Sequence, residues 1–155
     1  MNSPFMARAI ELAIENVRSG QGGPFGAVIV KDGGIIAEGV NQVTSSNDPT
    51  AHAEVLAIRQ ACQKLGLFEL KGCDLYTSCE PCPMCLGAIY WTRLSRVYYG
   101  GLAKDASKVG FDDSFIYREI AQPHTQRGIP MIQTMREEAL AAFRAWEETP
   151  NKLTY

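Results

Sequence analysis

The most constraining feature of the sequence is a strand-helix-strand pattern between Leu75 and Tyr99. Leu75–Thr77 and Val97–Tyr99 are short β-rich runs, and Pro83–Trp91 between them is typical of a helix that begins at a proline. Two strands that are joined through a helix within one sheet must run parallel to each other. The pattern therefore predicts an α/β fold whose sheet contains at least one parallel pair.

The remaining segments add further helices and strands on both sides of this unit. Apolar Ile10, Ala13 and Val17 recur at helical spacing, and the Asp32-Gly33 pair favours a hairpin turn. The other predicted elements are strands at Phe25–Val30, Ile35–Val40 and Ile129–Thr134, and helices at Ala51–Leu65, from Asp112 or Asp113 to Ile120, and around Ala139–Trp146. We expect a three-layer α-β-α sandwich, in which a five-stranded mixed sheet carries helices on both faces.

Length and charge limit the possible function classes. The chain has 155 residues and a formal net charge of −2, and no Pro/Gly/Ser-rich linker divides it, so we expect one domain over residues 1–155. The near-neutral charge argues against nucleic acid as a partner. The apolar runs are far shorter than the roughly 20 residues of a membrane helix. Glu11 and Glu15 interrupt the apolar stretch of the N-terminus, which does not resemble a signal peptide. We expect a cytoplasmic protein without membrane contact.

The cysteines indicate a metal site. The chain has five cysteines, an odd number, and Cys79, Cys82 and Cys85 lie within seven positions. In a reducing compartment this pattern favours metal binding or catalysis over disulfides. Cys82 and Cys85 share a face of the first helical turn, where free N–H groups favour thiolates. His52 supplies a third donor and leaves a fourth tetrahedral position for water, as in a catalytic zinc site. We expect one Zn²⁺ per chain.

Glu54 is the candidate proton carrier of this site. It lies two residues after His52, and its hard oxygen is a poor competitor for a sulfur-rich zinc site. A carboxylate in this position can accept a proton from water and later deliver it to a leaving group. His-x-Glu followed by Pro-Cys-x-x-Cys is the signature of zinc-dependent base deaminases. Cys79 leaves an alternative open, because it could join the other three residues in a closed, structural Cys₃His site.

The sequence also resembles the cytidine deaminase-like superfamily and, within it, the bacterial guanine deaminases. The resemblance covers nearly the whole chain and is carried by Gly22–Val28, Asn47–Glu54, Ser78–Cys85, Gly110–Phe115 and the terminal Tyr155. The segments Asn47–Glu54 and Ser78–Cys85 are shared across the superfamily. The Phe-Asp-Asp-Ser-Phe segment and the terminal tyrosine indicate guanine.

The resemblance implies roles for individual residues. Phe25 would stack on a purine, Asn41 would hydrogen-bond to its edge, and Asp113 and Tyr155 would help to close the site, with Asp113 as a second proton carrier. Glu54 would then serve hydrolytic deamination of guanine to xanthine and ammonia. Each role has a structural alternative: Phe25 in the core, Asn41 in a turn, and Asp112 or Asp113 as a helix cap.

Other functions remain open from the sequence. Deaminases that act on tRNA adenosine share the zinc motifs, but they need a basic surface, and Glu137–Glu148 contains four glutamates and one arginine. Deamination of cytosine or another amino-heterocycle, and a zinc-stabilised binding module without turnover, are further alternatives. The resemblance also implies a homodimer in which the segment of about 101–155 is swapped and completes the partner's site.

Overall fold

The computed structural model describes residues 3–155 and confirms the predicted α/β class. The helices are α1 (Pro4–Arg18), α2 (Val43–Ser46), α3 (Ala53–Leu65), α4 (Pro83–Trp91), α5 (Ala103–Ser107), α6 (Ser114–Ala121) and α7 (Arg136–Glu148), with a 3₁₀ turn at His124–Gln126. The strands are β1 (Gly26–Lys31), β2 (Gly34–Val40), β3 (Cys73–Cys79) and β4 (Arg96–Gly101). Within residues 3–155, no helix is both long and apolar enough to cross a membrane.

The sheet is mixed and has the strand order β2-β1-β3-β4. β1 pairs antiparallel with β2 and β3, whereas β3 and β4 are parallel, as the strand-helix-strand pattern predicts. The predicted hairpin turn is confirmed, because Asp32 and Gly33 both have positive φ, at 49° and 77°. Two consecutive residues of this kind form the turn that matches the twist of a hairpin.

The prediction of a fifth strand at Ile129–Thr134 is wrong for the described chain, whose sheet has four strands. Pro130 lies inside this segment and has no N–H to donate to a neighbouring strand. Ile129 and Ile132 are 81% and 84% exposed, so the segment buries neither of its faces. The apolar residues suggested a strand, but none of their side chains is buried against the rest of the described chain.

Helices cover both faces of the sheet, as expected for three layers. On one face Leu12 of α1 packs with Val28 and Val30. On the other face α3 and α4 cover a larger core cluster that is centred on Ile29 and Leu75. This core is built within the first of two compact units, which ends at Asp113.

The first helix is predicted correctly, but its buried face is not. Of the predicted stripe only Ala13 is buried, whereas Ile10 and Val17 are 41% and 49% exposed. The buried positions are Ala9, Leu12, Ala13 and Asn16. Small residues are needed here because α1 runs close to β1: a Cβ at Gly26 would lie 2.4 Å from the carbonyl oxygen of Ala9. The closest approach is at Ala9 and Ala13, whose side chains are small, whereas Ile10 and Val17 lie on the exposed side of the helix.

The second unit, Ser114–Tyr155, contains α6, the 3₁₀ turn and α7. The two predicted helices are confirmed, with bounds shifted by a few residues. None of the residues in α6 or α7 is buried. The predicted apolar face of α7 is exposed in the single chain, with Phe143 at 67% and Trp146 at 44%.

Candidate active site

The sheet brings four chain segments together at one edge. β3 and β4 are parallel, so their carboxyl ends lie at the same edge of the sheet. β1 is antiparallel to β3, and β2 is antiparallel to β1, so β1 begins and β2 ends at that edge as well. The loops that follow β2 and β3 lead into α3 and α4, and both helices therefore begin near this edge.

His52, Cys82 and Cys85 meet at the beginnings of these two helices. His52 is the N-cap residue of α3, Cys82 is the N-cap of α4, and Cys85 lies in the first turn of α4. The Nδ1 atom of His52 is 3.5 Å from each of the two sulfur atoms. Among residues 3–155, His52, Cys82 and Cys85 form the one cluster of three possible metal-binding side chains whose donor atoms lie within 4.8 Å of one another.

The spacing of the donor atoms fits tetrahedral zinc. Zn–S bonds of about 2.3 Å and Zn–N bonds of about 2.0–2.1 Å, at a tetrahedral angle, hold sulfur and nitrogen about 3.5 Å apart. This separation is the one observed between His52 and each cysteine. His52 therefore lies from each sulfur at the distance that zinc requires, and the three donor atoms lie within 4.8 Å of one another.

The two thiols differ in their acidity. Hydrogen bonds from Cys85 and His52 lower the pKa of Cys82 to about 4, against the penalty of burial. Cys85 has a strongly raised pKa, because its thiol is hydrogen-bonded to Cys82, is buried and lies near the negative charge of Glu54. Zinc binds cysteine as the thiolate, so a bound ion would hold both sulfurs deprotonated.

Glu54 is buried beside this trio. Its side chain is 6% exposed, and its Oε2 lies 3.4 Å from the Cys85 sulfur. Thr77 donates a hydrogen bond of 3.2 Å to the other carboxylate oxygen. Burial is the main cause that raises the pKa of Glu54. The carboxyl group is thus close to the candidate metal ligands, oriented by Thr77, and a stronger base than a carboxylate in water.

Cys79 lies outside the trio, which disfavours the closed Cys₃His site. Its Sγ donates to the carbonyl oxygen of Leu102 over 3.7 Å. Cys79 ends β3, and the turn at Pro81 separates it from the two cysteines of α4. Of the four residues that a closed site would need, the structure brings three together.

Phe25 and Asn41 lie at the same edge, in the segments next to β1 and β2. Phe25 is half-buried against the core, and its ring meets that of Phe111 edge to face at 5.0 Å. Asn41 is 7% exposed, and its Oδ1 accepts hydrogen bonds from the N–H groups of Gly23 and Val43, each at 3.3 Å. The next residue after Asn41 is hydrogen-bonded to Ala51, immediately before His52. The two residues are therefore built into the surroundings of the trio.

Asp113 is half-buried at the end of the first unit. Burial is the main cause that raises its pKa, and the negative charges of Cys82, Asp112 and Glu80 raise it further. The influence of Cys82 indicates that Asp113 lies near the trio. Tyr155 belongs to the second unit and is 75% exposed.

Sequence reasoning missed three residues around this site. Thr77 occupies an inward-facing position of β3, following buried Cys73 and Leu75 at alternate positions. Asn16 lies on the buried face of α1. A polar residue on an apolar face was the available signal in both cases, because a buried polar side chain needs a partner. Phe111 carried no comparable signal.

Comparisons with known proteins agree with this geometry. Residues 1–101 match the profile of the cytidine and deoxycytidylate deaminase zinc-binding region. A guanine deaminase of Bacillus subtilis is 61% identical over 151 residues, which are 97% of this chain and 97% of the relative. A crystal structure of guanine deaminase from Bacillus subtilis superposes with a TM-score of 0.96 at 60% identity, over 100% of this chain and 99% of that one.

A second class of relatives matches a smaller part of the chain. A tRNA-specific adenosine deaminase of Agrobacterium fabrum is 48% identical over 94 residues, which are 59% of this chain and 62% of the relative.

The family assignment rests on the profile match, which spans α1 to β4 and includes His52, Cys82 and Cys85. The chain belongs to the cytidine and deoxycytidylate deaminase zinc-binding family.

Proposed function

We propose that this protein is a zinc-dependent aminohydrolase that converts guanine and water to xanthine and ammonia. The observation that carries the proposal is the convergence of three zinc donors with a buried carboxylate, Glu54, that is not one of them. The near full-length similarity to a guanine deaminase supports the choice of guanine over other bases.

His52, Cys82 and Cys85 would hold the zinc ion. When bound, zinc acts as a Lewis acid that makes a water molecule a better nucleophile toward the ring carbon that carries the amino group. Two thiolates offset the charge of the ion, so the water remains less acidic than beside three neutral histidines. A nearby base is therefore needed.

Glu54 supplies this base and later acts as an acid. It accepts one proton from water as the water oxygen bonds to the ring carbon and the electron pair of the ring C=N bond moves to the ring nitrogen. Glu54 then delivers that proton to the exocyclic amine, which leaves as ammonia when its bond to the ring carbon breaks, and the remaining hydroxyl proton passes to the ring nitrogen as the carbonyl of xanthine forms. The raised pKa of the buried Glu54 makes the carboxylate a stronger base toward the proton of water. Thr77 keeps the carboxylate in one orientation through its hydrogen bond.

The remaining site residues would bind the base. Phe25 would stack on the purine, held in place by the edge of the Phe111 ring. The Oδ1 of Asn41 is already used by two backbone N–H groups, so the group that it offers to a purine edge is its Nδ2 donor. Asp113 would act as a second proton carrier near the site, and Tyr155 would help to close it.

A panel of substrates tests the proposed function. We expect the wild-type protein to release ammonia from guanine much faster than from adenine, cytosine, cytidine or a tRNA anticodon stem. Faster turnover of the tRNA, falling steeply with salt, would instead indicate a tRNA adenosine deaminase. If no member of the panel releases ammonia, the remaining hypothesis is a zinc-stabilised binding module without turnover.

We also propose that the protein acts in the cytoplasm as a homodimer in which residues of about 101–155 complete the partner's site. A reducing compartment keeps the zinc-binding cysteines from oxidising to disulfides. Large apolar side chains of the second unit are exposed in the single chain, among them Phe115, Ile120 and Phe143. Exposed apolar surface of this kind favours contact with another chain.

Mixed dimers test the swap. A Glu54→Ala chain and a chain that lacks Tyr155, each inactive alone, are unfolded together and reassembled. If the segment is exchanged, about a quarter of all sites combine an intact core with an intact tail and recover activity. If each tail folds back on its own chain, every site keeps one defect and no activity returns.

A further inference from the structure

Asn16 is a buried amide on a face of α1 that otherwise carries small and aliphatic side chains. It is 4% exposed, and the other buried positions of the helix are Ala9, Leu12 and Ala13. A buried amide is tolerated only where its polar atoms have partners. Its partners therefore indicate why an asparagine stands here.

The two protons of the Asn16 amide go to two different segments of the chain. Nδ2 donates to the carbonyl oxygen of Gly23 at 2.9 Å and to that of Asn41 at 2.8 Å. Gly23 lies two residues before Phe25, and Asn41 directly follows β2. A single side chain thus ties together the two segments that carry the proposed purine contacts.

These two segments are also bonded to each other. The N–H of Asn41 donates to the carbonyl of Phe25 at 3.1 Å, and the N–H of Phe25 donates to Gly23 at 2.8 Å. The N–H of Gly23 donates in turn to the side chain of Asn41. The orientation of the Asn41 amide therefore depends on where the backbone of Gly23 lies, and Asn16 bonds directly to that backbone.

The packing leaves little room for these groups to shift. A Cβ at Gly22 would lie 2.1 Å from the Asn41 carbonyl oxygen and 3.0 Å from Asn16 Nδ2. The absence of a side chain at Gly22 lets the Asn16 amide reach both carbonyls. The arrangement is a built hydrogen-bond network rather than a chance contact.

We propose that Asn16 is a positioning residue for the base-binding side of the site, acting through Asn41 and the Gly23–Phe25 segment. The proposal rests on the proposed function, because it needs a purine that contacts Asn41. Asn16 touches neither the zinc donors nor Glu54 in this network, so it governs binding of the base and not proton transfer.

The test is Asn16→Leu, which keeps the approximate shape and removes both donors. We expect the KM for guanine to rise about tenfold or more, as for the loss of a well-placed hydrogen bond to substrate, while kcat changes less than about threefold. Zinc content should equal that of the wild type. A fall in kcat with an unchanged KM would overturn the proposal.

A matched variant separates positioning from stability. Ala7→Gly weakens the same helix at an exposed position through helix propensity alone. The two variants are compared at urea concentrations that leave both folded. If Ala7→Gly raises the KM as much as Asn16→Leu does, the effect is one of stability and the proposal is wrong.

A double-mutant cycle tests the route through Asn41. The Asn16→Leu substitution should raise the KM much less in an Asn41→Ala protein, because the group that Asn16 positions is already absent. Equal effects in both backgrounds would contradict the proposed route.

Binding of guanine to the Glu54→Gln protein, with and without Asn16→Leu, distinguishes this inference from the proposed function. If guanine binds to the wild-type protein but releases no ammonia, the proposed function is wrong. Weaker binding of guanine to the Asn16→Leu protein would still support the role of Asn16. Equal binding overturns that role. Guanine that neither binds nor reacts rejects both.

Discussion

A methyl group at Gly39 should displace the part of α3 that carries His52 and Glu54. Gly39 lies in β2, directly beneath the first turn of α3. A Cβ built there would lie 2.1 Å from the carbonyl oxygen of Ala53 and 2.7 Å from the N–H nitrogen of Ala57. Both atoms are backbone, so no rotation of a side chain can relieve the overlap.

The size of the displacement follows from these distances. Ordinary contact begins at 3.4 Å, so Gly39→Ala must separate the two backbones by about 1.3 Å. Ala53 stands between His52 and Glu54, so the movement changes the positions of both relative to Cys82 and Cys85, whose contacts with His52 are 3.5 Å long. A misplacement of about 1 Å can lower a rate about 10²-fold. Overpacking of this kind costs about 1–3 kcal/mol of stability.

Gly34→Ala is the matched control on the same strand. A Cβ at Gly34 would meet the carbonyl oxygen of Lys31 at 3.8 Å, which is ordinary contact. We expect Gly39→Ala to lose about 1–3 kcal/mol in urea unfolding and about 10²-fold in ammonia release from guanine. Gly34→Ala should stay within about 0.5 kcal/mol of the wild type and keep its turnover.

Two results would refute this reasoning. If both alanine variants unfold alike and react alike, the close approach of β2 and α3 does not support the site. If Gly39→Ala is destabilised but retains full turnover and zinc content while folded, the start of α3 tolerates the movement, and the position of His52 and Glu54 is set by other contacts.

Three further predictions concern the metal, the proton carrier and an ion pair. Cys82→Ala should lose zinc and turnover while Cys79→Ser keeps both, measured by elemental analysis and ammonia release; zinc loss in Cys79→Ser would revive the closed site. Glu54→Gln should lower kcat by about 10²–10⁴-fold with zinc retained, and unchanged kcat would assign the proton transfer to another group. The Arg8 hydrogen bond lowers the pKa of Glu38 below 4.5, so the pair stabilises the fold above that pH and loses this contribution as the pH falls through the lowered value. Because the pair is partly exposed, Glu38→Gln should lower the free energy of unfolding in urea by no more than about 1 kcal/mol at pH 7, and by less in acid. An equal loss of stability at both pH values would contradict this.

The fold was predictable wherever a local signal and a buried face agree. The hairpin follows from Asp32-Gly33, and α3 ends at Gly66 in a left-handed conformation as a helix stop requires. The fifth strand failed because apolar residues at Ile129–Thr134 are exposed and Pro130 interrupts them. Sequence alone does not distinguish an apolar segment inside a sheet from one that lies on a surface.

The metal trio was predictable for a different reason. The spacing of Cys82 and Cys85 places both on one helical turn, and three soft or borderline donors have few other uses in a reducing compartment. Thr77 was missed because its partner Glu54 lies 23 positions away along the chain, and Asn16 because its partners, Gly23 and Asn41, lie 7 and 25 positions away in other segments. Such contacts depend on which strands become neighbours, and a pattern within one segment does not contain that information.

The donor atoms of the trio are brought together by close backbone packing. The face of α3 toward the sheet carries the small residues Ala53, Ala57 and Ala61, all fully buried, and Gly39 opposes the first of them. Small residues let helix and sheet approach until their backbones touch, and such contacts adjust less than long side chains do. His52 therefore lies at tetrahedral spacing from both cysteines through the packing of α3 on the sheet. A zinc ion would therefore bind donors whose positions follow from the packing of α3 on the sheet.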